Sequence, residues 1–354
     1  LVAFLVYQGT LAPGLDFIDA GELATCCDTL GICHPTGYPL FTLVGFLFAH
    51  LPIAASVIGR LNEMAALFTA VGAGVLTLVA HELFSHWMPE RAPRDKERPK
   101  ARKPAKPSEK TAAKPSVTAP AHMPSSLATG GALVVGLAAA FSQTWWSQST
   151  AIEVYPLHLT MVTVVLLTFL RMLRLEDGER PLWNGRLFAI TLGLAFANHM
   201  TTVLLAPATL YLFFARYGLQ RTARLRIARL APFFLAGLAL YLYLPLRSAS
   251  HPIMDWGHPA TAGAFLRHVS GGQYKIWMFA GSAAKQWSYF WGRLPHEFTI
   301  IGAALALVGF IGMALAARVG RVQIAIATGL LFLGCLLYAI NYDIHDIDSY
   351  FLLA

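Results

Sequence analysis

The sequence predicts an all-α integral membrane protein with about nine transmembrane segments and short helices beside the membrane on the extracytoplasmic face. Two observations carry this. The 354-residue chain is 56% hydrophobic and 13% charged, with mean hydropathy +0.54, against roughly 25% charged residues in an ordinary soluble domain. Its apolar residues also run in blocks near the ~20 residues that a helix needs to cross a bilayer.

In chain order, a short apolar segment at 1–11 opens the sequence, and further crossings are read at 57–84, 127–144, 155–173, 186–198, 200–216, 229–246, 297–317 and 322–340. The run 39–50 is read as lying in the outer interface, because a crossing there would exchange the sides of every later loop. Residues 1–87 form the first helices with a polar outer loop, and 127–354 the rest of the bundle, with a large outer loop at 247–296. Between them, 88–126 holds ten Lys or Arg, four acids and eight prolines and no aromatic residue, the composition of a disordered linker. Both ends of the sequence fall in apolar stretches, which reads as a chain trimmed from a longer protein.

Charge sets the orientation. The linker is basic, 216–229 has five Arg and no acid, and Arg318 and Arg321 flank another short turn, so these belong on the cytoplasmic side. The segments 12–37, 144–155 and the tail after Asn341 contain no Lys or Arg and belong on the other side. The net charge of +8 is mostly this inside-face signal, and the linker offers no aromatic platform for nucleic acid. Cys26, Cys27, Cys33 and Cys335 show no metal-binding spacing and read as small apolar packing residues, with a Cys33 bridge as the alternative.

The orientation gathers polar residues on one face. These are Asp19, Glu22, His34 and Tyr38 from the first loop, Glu153 and Tyr155, His199 between two spans, Arg247, Trp256 and His268 from the large loop, and His345, Asp346 and Asp348 from the tail. Charged groups at membrane depth are costly unless paired or facing a wet cavity, so such a group suggests a pocket for a polar, lipid-borne substrate. Each has a purely structural reading as well. Asp19-Ala-Gly-Glu22 has the spacing of a reciprocal helix cap. Glu153 can cap the helix opening at Tyr155-Pro156, His199 can bond a carbonyl freed at a helix break, and Arg247 can anchor the run before it.

Five ordered motifs go further. Asp19-Ala-Gly-Glu22 with His34-Pro-Thr-Gly-Tyr-Pro-Leu40, Trp146-Ser-Gln-Ser-Thr-Ala-Ile-Glu153-Val-Tyr155, Asn198-His199, Tyr243-Leu-Pro-Leu-Arg247 with Asp255-Trp256-Gly257, and the closing Asn341-Tyr-Asp343 to Tyr350 stretch span nearly the whole chain outside the linker. Together they resemble the multi-pass family catalogued as domain of unknown function 2723. That family includes an animal O-mannosyltransferase and is similar to the GT-C glycosyltransferases. Thr36 stands where a second proline is expected, with Gly37 and Pro39 still present to shape the turn.

The resemblance implies a GT-C-like bundle that moves a sugar, mannose in one branch, from a polyprenyl-phosphate donor to a protein or glycan hydroxyl on the extracytoplasmic side, with inversion. It implies a catalytic base at Asp19, with Glu22 one turn on as the second catalytic carboxylate, and a pocket lined by His34, Tyr38, Glu153, Tyr155, His199, Trp256 and Asp348. Arg247 is assigned to the departing phosphate, since its planar fork suits phosphate oxygens. No particular cofactor is identified, and a divalent metal on Asp19 and Glu22 stays open. The composition leans to a bacterial plasma membrane, with membrane lipid as a partner and no nucleic acid. A lipid or solute transporter with an outward cavity is the alternative function, with broken helices near His199 in its favour and no internal repeat to support it.

Overall fold

The computed structural model describes residues 1–87, 124–175, 183–318 and 322–353, and the described residues are helical with two isolated bridges and no strand. Helix α1 is Val2–Gln8, α2 Ala20–Thr29, α3 Pro39–Ala49 and α4 Val57–His86. They are followed by α5 Ser125–Ala140, α6 Gln143–Gln148, α7 Tyr155–Leu175 and α8 Trp183–Asn198. Then come α9 Ala206–Tyr217, α10 Arg221–Leu238, α11 Tyr243–Ser248, α12 Ala262–Val269, α13 Ala283–Arg318 and α14 Val322–Ile340.

Local chemistry sets several of these limits. The Ser56 hydroxyl accepts from the Gly59 amide at 3.1 Å and opens α4, and Thr261 caps α12 in the same way. Pro39 occupies the first position of α3, where its missing N–H costs nothing. The preceding turn needs Gly37, at φ +90°, where a Cβ would also lie 2.8 Å from Leu244.

Four helices are long and apolar enough to cross a membrane: 57–86, 155–175, 221–248 (α10 continued through a tight turn into α11) and 322–340. They coincide with four of the nine expected crossings. The other five fall on shorter or kinked helices. The segment 127–144 stops at Ala140 and turns into α6. A break at His199 divides 186–198 from 200–216, and 297–317 begins beside Thr299, where α13 kinks at φ 62°. Helix α3 has 11 residues, about 16 Å, roughly half the hydrocarbon thickness. Residues 88–123 of the expected linker and Arg321 lie outside the described residues, and α5 already begins at Ser125 within the expected linker end.

The core is built on α4, which packs along α7 and α5, while α8 packs along α10 and α7, and α14 on α9 and α13. Glu82 of α4, buried, takes a bidentate bond from Arg174 of α7. At the α8/α10 crossing the backbones touch: a Cβ on Gly193 would lie 2.8 Å from the Leu238 nitrogen, and one on Gly237 2.5 Å from the Ile190 oxygen. Glycines permit that approach. Gly193→Leu is expected to separate the two helices and cost about 1–3 kcal/mol, read as a lowered melting temperature in detergent. A wild-type melting temperature would show that the crossing tolerates the side chain.

All four cysteines are free and buried, with Cys27 seated against Gly45 and Cys33 beside Thr42, so they pack as expected and form no bridge.

Helix after helix returns the chain to one end of the bundle. There Asn62, fully buried near the start of α4, donates to the Ala12 and Gly14 carbonyls and accepts from the Ile152 amide at 2.9 Å. Ile32 pairs with Met254 and Trp256, Gln148 with Ser349, and Phe279 with Asn341. These bonds bring the first loop, Glu153, the 249–261 loop and the tail to one place.

Candidate active site

The site is built around His34, whose side chain is 13% exposed. Glu22 projects from the first turn of α2, and its Oε1 accepts from the His34 backbone N–H at 2.6 Å and faces His34 Nδ1 at 3.1 Å. Asp19 is the residue before α2, with Oδ2 3.9 Å from His34 Nε2 and a side chain 45% exposed. The Tyr38 hydroxyl lies 3.1 Å from the same nitrogen and donates to the Pro35 carbonyl at 3.1 Å. The reciprocal-cap reading of Asp19 and Glu22 is therefore not realised. Asp19 makes no side-chain cap bond, and Glu22 spends its oxygen on His34.

Electrostatics follow from this geometry. Burial disfavours charge on His34, but the Glu22 hydrogen bond and the negative charges of Glu22, Asp19 and Glu153 outweigh it and raise its pKa. With both nitrogens protonated, Nδ1–H points at a carboxylate and Nε2–H at a phenol oxygen that has already turned its own proton to Pro35. Glu153, buried just before α7, accepts from the Val154 amide at 2.9 Å. Burial pushes its carboxyl up to about 8, with Asp19 and Asp346 adding to the rise and the amide and His34 opposing it.

Glu153 is thus mostly protonated at neutral pH and loses its proton as pH climbs through about 8. If its neutral form serves the reaction, activity declines over that climb, and Glu153→Gln, which is neutral throughout, keeps activity at alkaline pH. A wild-type pH profile that stays flat there, or a Gln variant that declines equally, would contradict this role.

Deeper in, Tyr38 stacks on His199 with centroids 5.6 Å apart and an interplanar angle of 1°. Tyr155, His158 and Tyr350 complete the ring around His199, at 5.4, 4.9 and 6.4 Å. His199 does not bond a freed carbonyl. Its Nδ1 faces the Thr201 hydroxyl at 2.6 Å and accepts from the Thr201 amide, and that hydroxyl reaches His158 Nε2 at 2.9 Å. Trp256 stands at the rim, edge-on to His34 at 6.2 Å. Beside it opens a cleft of about 440 Å³, walled by Pro35, Trp256 and His268 and carrying Arg267 and Lys275.

The structure thus brings together Asp19, Glu22, His34, Tyr38, Glu153, Tyr155 and His199, with Trp256 at the edge. Arg247 and Asp348 have partners outside this group. Arg247 donates to the Leu30 carbonyl at 2.7 Å and the Thr29 carbonyl at 3.1 Å, so it caps the opposite end of α2 from Asp19. Helix ends carry unpaired carbonyls, and a nearby cation satisfies them. Asp348 accepts from the Tyr289 hydroxyl at 2.9 Å and pairs with Arg293, while its neighbour Asp346 adds to the negative charge that Asp19 places at Glu153. Sequence reasoning missed His158, Thr201 and Tyr350. The spacing from Tyr155 to His158, one helical turn, was the available signal for the first.

Asp19, Glu22 and His34 place donor atoms within 4.8 Å of one another, a set that fits a divalent ion chemically. Within this set Glu22 Oε1 already bonds the His34 backbone N–H and faces its Nδ1, while Asp19 stands 3.9 Å from Nε2.

Fold and site together define a helical membrane protein with a carboxylate–imidazole cluster at one end of its bundle. The chain belongs to the protein O-mannosyl-transferase TMEM260 N-terminal domain family, whose model matches residues 19–222. It is similar to the protein O-mannosyl-transferase TMEM260 of Mus musculus, 28% identical over 280 residues covering 78% of this chain and 34% of that protein. It is also similar to the protein O-mannosyl-transferase tmem260 of Dictyostelium discoideum, 22% identical over 332 residues covering 88% of this chain and 35% of the relative. The chain spans about a third of the length of these relatives. No solved structure matches it.

Proposed function

We propose that this chain is the membrane-embedded catalytic part of a glycosyltransferase that moves mannose from a polyprenyl-phosphate donor to a protein hydroxyl on the extracytoplasmic side, in the manner of the GT-C enzymes. The observation that carries this reading is the half-exposed Asp19 carboxylate held beside a buried Glu22–His34 pair in an otherwise apolar bundle. The names of the relatives supply the sugar and the reaction class.

An acceptor hydroxyl is a weak nucleophile, and a carboxylate can take its proton as the new bond forms. Asp19 is that base. The acceptor oxygen bonds to the anomeric carbon, the bond from that carbon to the phosphate oxygen breaks, and the proton passes to Asp19, with inversion at carbon. Glu22 holds His34, and His34 fixes the wall that faces Asp19. Tyr38, Glu153, Tyr155 and His199 line the sugar pocket. The departing phosphate gains charge and needs fixed cations, and Arg267 and Lys275 on the adjoining cleft meet that need where Arg247 does not.

Orientation rests on charge. The loops meeting at the site end include three without Lys or Arg, and the Arg-rich 216–229 lies at the other end. The named relatives are eukaryotic, and the bacterial lean of the composition gains no support from them.

The test is to supply membranes carrying the full-length protein with radiolabelled polyprenyl-phosphate sugars and a protein acceptor. Mannose on acceptor hydroxyls, with inverted anomeric configuration, is the expected product. Movement of the lipid between leaflets with no sugar transferred from any donor would favour the transporter reading instead.

A further inference from the structure

The loop between α11 and α12 carries a second group of donor atoms that the reaction above does not use. His251, Asp255 and His258 each place one ligand atom within 4.8 Å of the other two. His258 Nδ1 lies 2.6 Å from Asp255 Oδ2, and the Ser248 hydroxyl donates to that same oxygen at 3.0 Å. The rings of His251 and His258 are nearly parallel, at 9°, with centroids 5.7 Å apart.

A hydrogen-bonded turn explains only part of this. His258 follows Asp255 by three residues, so its ring could simply close the turn. That does not account for His251, which arrives at the same point from the far side of Asp255. Nor does it account for Asp255 Oδ1, which is shut off from solvent with no hydrogen-bond partner, where a buried carboxylate oxygen ordinarily has one. Both histidines also adopt left-handed backbone, at φ 51° and 42°, which residues with a side chain seldom do. The loop is firmly seated, because Ile32 donates to the Met254 carbonyl at 2.8 Å and accepts from the Trp256 amide at 3.2 Å.

We propose that His251, Asp255 and His258 form a site for a divalent transition-metal ion of the zinc class. Two imidazole nitrogens and one carboxylate oxygen suit zinc, with bonds of about 2.0–2.2 Å, whereas calcium and magnesium prefer all-oxygen shells. Donors around such an ion stand about 3.4 Å apart in tetrahedral geometry, so the His258–Asp255 pair opens slightly and gives up its shared proton as His251 closes in. The fourth position is left to water. Asp255 precedes Trp256, the ring at the rim of the His34 pocket, so the bound ion fixes one wall of that pocket without entering it.

The test uses the full-length protein in detergent, stripped with a chelator and titrated with Zn²⁺ by equilibrium dialysis, with X-ray absorption at the zinc edge. One ion with a nitrogen and oxygen shell is expected. His251→Asn and His258→Asn, both at positions where asparagine tolerates the left-handed backbone, should each weaken it by about tenfold or more, while Glu22→Gln leaves it unchanged. The proposal is overturned if no zinc binds, if both histidine variants bind as wild type, if the shell contains sulfur, or if Glu22→Gln abolishes binding, which would place the ion at His34.

Discussion

Asp19→Asn should reduce sugar transfer by about 10²- to 10⁴-fold, the range for loss of a positioned general base, while donor binding and folding persist. The side chain is nearly isosteric, and Asp19 makes no cap bond to α2, so little structural support is lost with the charge. Glu22→Gln should act differently. Glu22 anchors His34 through both its backbone and its ring, so its loss should lower the His34 pKa and shift the pH profile as well as the rate. Steady-state kinetics of the two full-length variants over a pH series separates the roles. Normal transfer by Asp19→Asn would remove it as the base. A larger loss in Glu22→Gln than in Asp19→Asn would exchange their assignments.

Arg174→Leu is expected to destabilise the bundle by about 3–5 kcal/mol, because it leaves a buried carboxylate unpaired. Glu82, with a side chain only 6% exposed, sits near the end of α4 and depends on the Arg174 fork from α7. Among the described residues these two helices share the most extensive packing, so the loss falls on a central contact. Replacing both partners, Glu82→Leu with Arg174→Leu, should restore most of the stability, since two apolar side chains need no partner. Thermal unfolding in detergent measures both. A single variant as stable as wild type, or a double variant no better than the single, would show that the pair contributes little.

The first loop was legible in the sequence because acids and a histidine stand out in an apolar chain, and the structure gathers Asp19, Glu22 and His34 there. What spacing could not decide was whether Asp19 and Glu22 cap a helix or face a partner. That depended on His34, twelve residues past Glu22, folding back over α2. The partners of Arg247 were hidden for a related reason. A lone cation on an acidic face suggests a ligand, and nothing local reveals that the last carbonyls of α2 lie within its reach. In the tail, Asp346 and Asp348 are two residues apart and look alike, yet the tight turn of Ile347–Leu353 sends Asp348 to Tyr289 and Arg293. Crossings were readable as apolar runs. The break at His199 was anticipated by the expected crossings on either side of it, whereas the kink at Thr299 was not, because composition records hydropathy and not the backbone angles that bend a helix.

The most direct measurement is the position of the donor sugar in an experimental structure of the full-length protein bound to a non-transferable polyprenyl-phosphonate mannose. The sugar should lie in the pocket of Tyr38, Glu153, Tyr155 and His199, its anomeric carbon facing Asp19 and its phosphonate toward Arg267 and Lys275. A sugar bound elsewhere, or a phosphonate held by Arg247 at the far end of α2, would contradict the assignment of this site.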